Sequence, residues 1–396
     1  MRVLAMTSLF PNPYQTNLWS PNRLQLSWLA RQTPVDVIAP LPWTTERRGR
    51  KLAGNLLNAS RTRTVDNLTV EHVPYYFPPG TLRALHGKCY RWSVAKALQR
   101  HVSAFKPDVV FTHWAYPDGW AAVKLGHAHK LPVVIQVMGS DVLLLKDTPS
   151  RRPGTIEALQ QADGIWAVSQ DLARNVETLG VASDRVRVIY DGVDTSLFHP
   201  GSQDEARERL KLDITGKIIL FVGNLVGVKA IDKLLDACEL LHQQGIAFHT
   251  AVIGQGELRG TLEKQLSKLQ CHGAVKFYGS IPQETLPDWY RAADVLVLPS
   301  YSEGVPNVLL EASACRLPYV ASNVGGIPEI AGQGQGLLVP PGDASALANA
   351  IKEQLAAPRR ESHATRSRGD CITDFMQFLK QTHARYHATP NTNAHE

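Results

Sequence analysis

The feature that most constrains this chain is an alternation of short apolar runs with amphipathic segments, carried through twice. In the first half the runs fall at 2–9, 35–40, 69–75, 108–114, 132–138, 164–169 and 186–191. In the second half they fall at 217–223, 248–254, 275–279, 295–300, 318–322 and 336–340. Such runs are apolar on both faces, which marks parallel strands covered by helices on either side. Helical stripes separate them. Ile231, Leu234, Leu235, Cys238 and Leu241 follow a 3.6-residue period that Gly245 ends. Leu258, Leu262, Leu266 and Leu269 repeat it as far as Gly273, and Leu347, Ile351 and Leu355 repeat it between Asp343 and Pro358. Residues 88–106 make a long helix closed by Pro107. Repeated strand–helix alternation builds a doubly wound α/β sheet, and two sets imply two Rossmann-like domains facing a central cleft. The expected division is 1–195, 196–369 and a terminal helix at 370–387. The join lies near 192–216, with a capping box expected at Ser202 and Glu205. The basic stretch 46–64 reads as a surface loop or a mobile loop near an acceptor.

The chain has 396 residues, of which 44% are hydrophobic and 20% charged, enough apolar residues for two cores. Its five cysteines, at 89, 238, 271, 315 and 371, fit neither a disulfide framework nor a zinc site, so a reducing compartment is expected. No run of 18 apolar residues occurs, and the start is apolar too briefly for a signal peptide. A cytoplasmic protein is expected, with peripheral placement at the inner membrane face left open. Charge is uneven: through Asp194 there are 23 of the 42 Lys and Arg but only 15 of the 36 Asp and Glu. That basic half faces either an anionic lipid or polyanion, or simply water. Nucleic acid is not expected, because the cations form no stripe interleaved with stacking aromatics. Tyr75, Tyr76, Phe77, Trp92 and Trp114 line an acceptor groove or pack in the core.

The chemistry concentrates in Glu303-Gly-Val-Pro-Asn-Val-Leu-Leu-Glu311, directly after the run 295–300. Pro306 suits the first turn of a helix. Glu311 then lies about one turn in, and Glu303 lies in the loop before it. Both sit where open α/β sheets bind ligands, beyond the carboxyl ends of the strands. Carboxylates accept hydrogen bonds from sugar hydroxyls, and a helix N-terminus offers N–H groups to a diphosphate. Glu311 alone could equally be a solvent-facing helix residue.

With its flanking motifs, this block resembles glycosyltransferase family 4 (glycosyl transferases group 1). The flanks are Phe221-Val-Gly-Asn-Leu-Val-Gly-Val-Lys229, Val252-Ile-Gly-Gln-Gly-Glu257, and Tyr278-Gly-Ser-Ile-Pro with Leu286, Tyr290, Ala293 and Asp294. Val168-Ser169, Asp191-Gly-Val-Asp194 with Phe198, Gly325-Gly-Ile-Pro-Glu329 and Gly336-Leu-Leu-Val339 complete them. Phe10-Pro-Asn-Pro with Gln25, and His113-Trp-Ala-Tyr-Pro-Asp-Gly119, resemble the teichuronic-acid-type branch. The resemblance implies a GT-B fold whose terminal helix, around Phe375, Phe378 and Leu379, crosses back onto the first domain. It implies a retaining transferase of the hexosyl type, with a nucleotide sugar as co-substrate and a glycan or lipid-linked acceptor, in cell-envelope or exopolysaccharide assembly. Glu303 would hold donor-sugar hydroxyls, aided by backbone amides of the segment Gly304-Val305-Pro306-Asn307, in which Pro306 itself carries no N–H. Glu311 would hold the ribose, Lys229 the diphosphate, and Gly223, Asn224, Gly254 and Gly256 the phosphate loops.

Three positions depart from the family pattern. Asn224 stands where many relatives carry Arg, and Asn17 where a glycine is usual. Met138, in Gln136-Val-Met138-Gly-Ser-Asp141, stands where a His is frequent, and it can neither transfer a proton nor donate a hydrogen bond. His113 and Asp141 are the remaining catalytic candidates, with a structural histidine and a helix cap as the alternatives. No D-x-D occurs, so no metal and no cofactor are expected, and cations and amides must stabilise the leaving group. The competing readings are a GT-B-type nucleotide-sugar epimerase or hydrolase, and an inactive nucleotide-sugar-binding protein.

Overall fold

The computed structural model describes residues 1–15, 20–47, 61–77, 85–212, 216–331, 336–357 and 365–388. Asn17, Pro358, most of the stretch 46–64 and the tail after Ala388 lie outside them. The chain forms two compact units. The first comprises Met1–Tyr190 with Gly369–Glu396, and the second Asp191–Arg368. The second unit is thus inserted between the first unit's body and its last helix.

Among the described residues the first unit carries eight strands: β1 (Val3–Met6), β2 (Val35–Pro42), β3 (Thr62–Val65), β4 (Leu68–Tyr75), β5 (Val109–His113), β6 (Val133–Val137), β7 (Gly164–Ala167) and β8 (Val186–Val188). Their order is β3-β4-β2-β1-β5-β6-β7-β8. All neighbours pair in parallel except β3 and β4. Strand β3 overlaps the end of the stretch 46–64, where the sequence predicts a loop. Its exposed alternation, Thr-Arg-Thr-Val, turns back through Asp66 at φ 53° into β4.

Alternate side chains of these strands enter opposite cores, as the period of two requires. Leu4, Met6, Val110, Val133, Ile135 and Val137 pack under the helices His86–Phe105 and Trp120–Ala128. Val3, Ala5, Val109, Phe111, Val134 and Trp166 face the other way. There they meet Leu26 and Leu29 of helix Ser20–Leu29, and Ile372, Phe375, Phe378 and Leu379 of helix Arg368–Ala388. Phe375 lies 4.5 Å from Trp166 and 4.7 Å from Phe111 between ring centroids. Each such buried side chain contributes about 1.5–3 kcal/mol, so apolar burial docks the terminal helix on this unit.

The second unit carries β9 (Lys217–Val222), β10 (Phe248–Ile253), β11 (Val275–Gly279), β12 (Val295–Leu298), β13 (Tyr319–Ser322) and β14 (Gly336–Val339). They form one parallel sheet in the order β11-β10-β9-β12-β13-β14. Helices Ile231–Gln243 and Ala344–Ala356 bury the predicted stripes. The stripe at 258–269 resolves into helix Arg259–Leu266 followed by a 3-10 turn. Ser202 caps helix Gln203–Arg209 by accepting from the Glu205 amide at 3.3 Å, while the Glu205 side chain pairs with Arg209. The entering and leaving segments of this unit bond to each other: Val193 N donates to Arg366 O, and Arg368 N to Val193 O at 2.8 Å. All five cysteines are free. Among the described residues no helix is long and apolar enough to cross a membrane.

Candidate functional site

In the second sheet the chain runs outward from β9 to β10 and β11, then returns to the other side of β9 as β12. The strand order reverses between β9 and β12, and ligands of open α/β sheets bind beyond the carboxyl ends at such a point. The two loops leaving these strands carry Lys229 and Glu303. Lys229 Nζ lies 2.5 Å from Glu303 Oε1, which also accepts from Ser300 Oγ at 2.6 Å. The Tyr301 amide donates to Val228 O at 2.8 Å and ties one loop to the other. Ala230, buried and held at φ 48°, turns the chain from Lys229 into helix Ile231–Gln243. A non-glycine residue in this region is uncommon.

Glycines bring the neighbouring loops into contact. A Cβ on Gly254, whose φ is 139°, would stand 1.9 Å from Gly223 O, and one on Gly256 would stand 2.3 Å from Leu225 O. The loop after β10 therefore lies flat against the loop after β9, and Gly223 N donates to Ile253 O across it. Gly325, at φ 54°, does the same for Glu303: a Cβ there would lie 1.9 Å from Glu303 O. Beside it, Gly326 N donates to Gly304 O at 3.0 Å. Asn224 is exposed and contributes no charge.

Gly304, Val305 and Pro306 are buried, and helix Asn307–Ala314 begins directly after them, with Pro306 as its cap residue rather than in its first turn. Glu311 sits one turn into this helix and is 9% exposed. Its Oε2 accepts from the hydroxyl of fully buried Tyr290 at 2.7 Å. Burial raises the Glu311 carboxyl above its usual range, while the Tyr290 bond and the charge of Arg368 pull it back. The structure thus gathers Gly223, Asn224, Lys229, Gly254, Gly256, Glu303, Gly304 to Asn307 and Glu311 onto the strand ends of one unit.

His113 and Asp141 lie in the other unit, near its own reversal between β1 and β5. His113 is fully buried at the end of β5 and shares a 2.6 Å hydrogen bond between Nε2 and Gln25 Oε1. Burial lowers it to about 3, so it is neutral at ordinary pH. Asp141 accepts from the amides of Met138 (3.1 Å), Gly139 (3.0 Å) and Ala115 (3.3 Å). It clamps the loops after β5 and β6 and does not cap the helix that follows. Burial raises it to about 6 against the pull of those amides. Met138 is half-buried.

Two features went unread in the sequence. Ser300 appeared only as a strand end, although a hydroxyl three residues before an acid in a tight loop can reach it. Asp118, to which the sequence assigns no role although it lies in the branch-like stretch His113–Gly119, is fully buried. It accepts from Ser8 N (2.5 Å), Ser8 Oγ (2.9 Å) and the Tyr90 hydroxyl (2.7 Å), and burial raises it to about 6. It fixes the start of the loop after β1. Of the aromatic candidates, Tyr75 packs against Tyr90 and Phe77, at 5.0 and 5.6 Å between ring centroids, whereas Tyr76 and Trp92 are exposed.

Two Rossmann-like units, the second with an acid pair and a lysine at its strand-order reversal, define a protein of the GT-B class. Sucrose-phosphate synthase from Thermosynechococcus elongatus superimposes with a TM-score of 0.75 over 98% of each chain at 22% identity. HepE of Anabaena, solved with UDP-glucose, gives 0.69 over 98% of this chain and all of the other at 18% identity. The model for Glycosyltransferase Family 4 matches residues 23–197, and that for Glycosyl transferases group 1 matches 202–369. A D-inositol 3-phosphate glycosyltransferase of Frankia alni is 32% identical over 275 residues, 64% of this chain and 67% of that protein. TuaC of Bacillus subtilis (strain 168), whose name assigns it to teichuronic acid biosynthesis as a glycosyltransferase, is 34% identical over 251 residues. That match covers 62% of this chain and spans 60% of TuaC's length. The chain belongs to glycosyltransferase family 4, the glycosyl transferases group 1.

Proposed function

We propose that this chain transfers a sugar from a nucleotide-activated donor to a glycan or lipid-linked acceptor in cell-envelope or exopolysaccharide assembly, retaining anomeric configuration and using no metal. One observation carries the reading: the Lys229–Glu303 pair, steadied by Ser300, at the strand-order reversal of the second unit. The pair matches a donor's two ends. Glu303 accepts from sugar hydroxyls, and Lys229 turns to the diphosphate as negative charge develops on it. Amides at the start of helix Asn307–Ala314 share that charge, and preorganised donors of this kind are usually the largest single contribution to such a rate. Glu311, oriented by Tyr290, takes the ribose hydroxyls. HepE's complex with UDP-glucose supports a donor of this chemistry.

Proton transfer needs no strong protein base if the departing phosphate takes the acceptor's proton on the same face of the sugar. That route suits a site where Met138 replaces a proton carrier, where His113 is neutral and buried, and where Asp141 is spent on backbone amides. On this reading His113 and Asp141 shape the first unit's loops. Asn224, exposed and uncharged, favours a second reading in which the protein binds a nucleotide sugar but turns it over poorly, or epimerises or hydrolyses it. Labelled donor incubated without acceptor identifies the epimerase or hydrolase, which alone epimerises or frees the sugar, whereas donor binding without turnover across a broad acceptor panel identifies the inactive binder.

The test is a thermal-shift panel of nucleotide sugars on the wild type, Glu303→Ala and Lys229→Ala. A ligand at a hundredfold excess over its Kd adds about 2.7 kcal/mol. One compound should stabilise the wild type and lose most of its effect in both variants. If no compound does so, or the variants respond like the wild type, the assignment fails. Product of inverted configuration by NMR would overturn retention alone.

A further inference from the structure

The first unit carries a surface that the proposed chemistry does not use. Four large hydrophobic side chains stand out as exposed among the described residues: Tyr76 (56%), Leu85 (38%), Trp92 (75%) and Tyr301. Three of them belong to one place. Leu85 is the cap residue of helix His86–Phe105, Trp92 lies two turns further on, and Tyr76 is held to the same helix by its amide, which donates to Ser93 Oγ at 3.2 Å. Leu85, Lys88, Trp92 and Lys96 follow each other at helical spacing along one exposed stripe, with exposed Arg91 beside Trp92. Helix His86–Phe105 contains no Asp or Glu in its twenty residues. Among the described residues Lys88, Arg91 and Lys96 have no ion-pair partner, whereas Arg100, further along, is paired with Glu71.

Helix stability does not account for this arrangement. A cation in the first turn opposes the helix dipole, and Lys88 occupies that turn. An indole three-quarters exposed gains nothing from the core beneath it. A Trp and a Tyr flanked by unpaired cations match the water–hydrocarbon boundary of an anionic bilayer. There the rings sit at headgroup depth and the lysine stems reach past them to lipid phosphates.

We propose that the exposed stripe Leu85–Lys88–Trp92–Lys96, with Arg91 and Tyr76, docks this protein on an anionic lipid surface. This names the partner surface for the transferase reading and rests on it for its purpose, because a lipid-linked acceptor would be met there. The binding itself requires neither donor nor turnover. The surface potential of anionic lipid attracts basic residues with about 1 kcal/mol each, and the attraction fades within a Debye length.

The experiment is co-sedimentation of the full chain with phosphatidylcholine vesicles and with mixed phosphatidylcholine–phosphatidylglycerol vesicles, at low and high salt. Wild type should partition to the mixed vesicles only, and salt should release it. Replacing Lys88, Arg91 and Lys96 together by Gln should weaken partitioning about a hundredfold, and Trp92→Ala about tenfold or more. All four residues are exposed, so unchanged circular dichroism melting is the control for folding. Equal binding to both vesicle types, no binding to either, or binding that survives the triple substitution would overturn the proposal. So would sedimentation velocity showing a wild-type dimer that the triple variant loses, which would assign the stripe to a second copy of the chain. Donor turnover on a soluble acceptor analogue is measured in parallel. If turnover is present without vesicle binding, this inference falls and the transferase stands; vesicle binding without turnover has the reverse meaning.

Discussion

Tyr290→Phe removes one oxygen from the second unit and leaves the ring in place, which makes its consequences calculable. Tyr290 is fully buried and its hydroxyl donates to Glu311 Oε2 at 2.7 Å. A hydrogen bond to a charged group is worth about 1.5–3 kcal/mol, and a neutral one about 0.5–1.5. Which figure applies depends on pH. Burial raises the Glu311 carboxyl and the Tyr290 bond lowers it. A folded-state value above the unfolded one means that the folded protein takes up the proton first, so burying the ionised form weighs against the fold as pH rises. The bond to Tyr290 offsets part of that cost only while Glu311 is charged. The substitution should therefore cost about 2 kcal/mol well above the titration of Glu311, or roughly 4–8 °C in Tm for a domain of this size. The loss should shrink by about half once pH falls far enough to protonate the carboxyl. On the proposed ribose role of Glu311, the acidic limb of donor binding should also move to higher pH, because the ionised carboxylate is the stronger acceptor. Calorimetric melting and donor titrations across pH read both effects. A uniform Tm loss at all pH values, or an unmoved binding limb, would refute the assignment of Glu311 as a tuned ribose acceptor.

Other expectations concern separate parts of the molecule. Gly325→Ala places a Cβ against Glu303 O at a φ of 54°, so the loop must shift. Backbone strain of this kind costs about 1–3 kcal/mol, and donor affinity should fall with Tm, as measured by thermal shift with and without ligand. His113, held at about 3, leaves the unfolded chain to take up its proton first, so its contribution is complete above about pH 6.5 and is lost as pH falls toward 3. His113→Gln should remove one proton's slope, about 1.4 kcal/mol per pH unit, from the acid side of the stability curve; an unchanged curve would mean the ring is not buried. Deleting residues from 371 onward strips Ile372, Phe375, Phe378 and Leu379 from the core around Trp166. The first unit's melting midpoint should collapse, and an unchanged midpoint would contradict the packing described.

The strands were readable because both faces of a central parallel strand are apolar, so a run such as Lys-Ile-Ile-Leu-Phe-Val needs no partner to be recognised. Their ends were less so. The runs ending in Gly223, Gly254 and Ser300 were read as strand, whereas the ladders stop at Val222, Ile253 and Leu298 because those last residues turn into the loops that build the site. Strand β3 escaped because an exposed edge strand of Thr and Arg lacks the apolar signal, and only the Asp66–Asn67 turn betrays it. At the site, the spacing of Glu303 and Glu311 was plain, but their different surroundings were not. Glu303 is paired with Lys229, while Glu311 is buried under a tyrosine twenty-one residues earlier. Asp118 and Asp141 were the hardest to read, because a carboxylate that serves backbone amides looks in sequence like any loop acid.

The adjoining segments at Val193 and Arg368 have a consequence for biosynthesis. A unit whose two ends are bonded side by side is complete once its last residue has left the ribosome, and it can close as a self-contained module. The body that precedes it in the chain cannot. Trp166 and Phe111 wait uncovered until Phe375 and its neighbours emerge, after the whole of the second unit has been made. The half made first is therefore finished last, and during that interval a sheet face of the nascent chain stays open to chaperones or to aggregation.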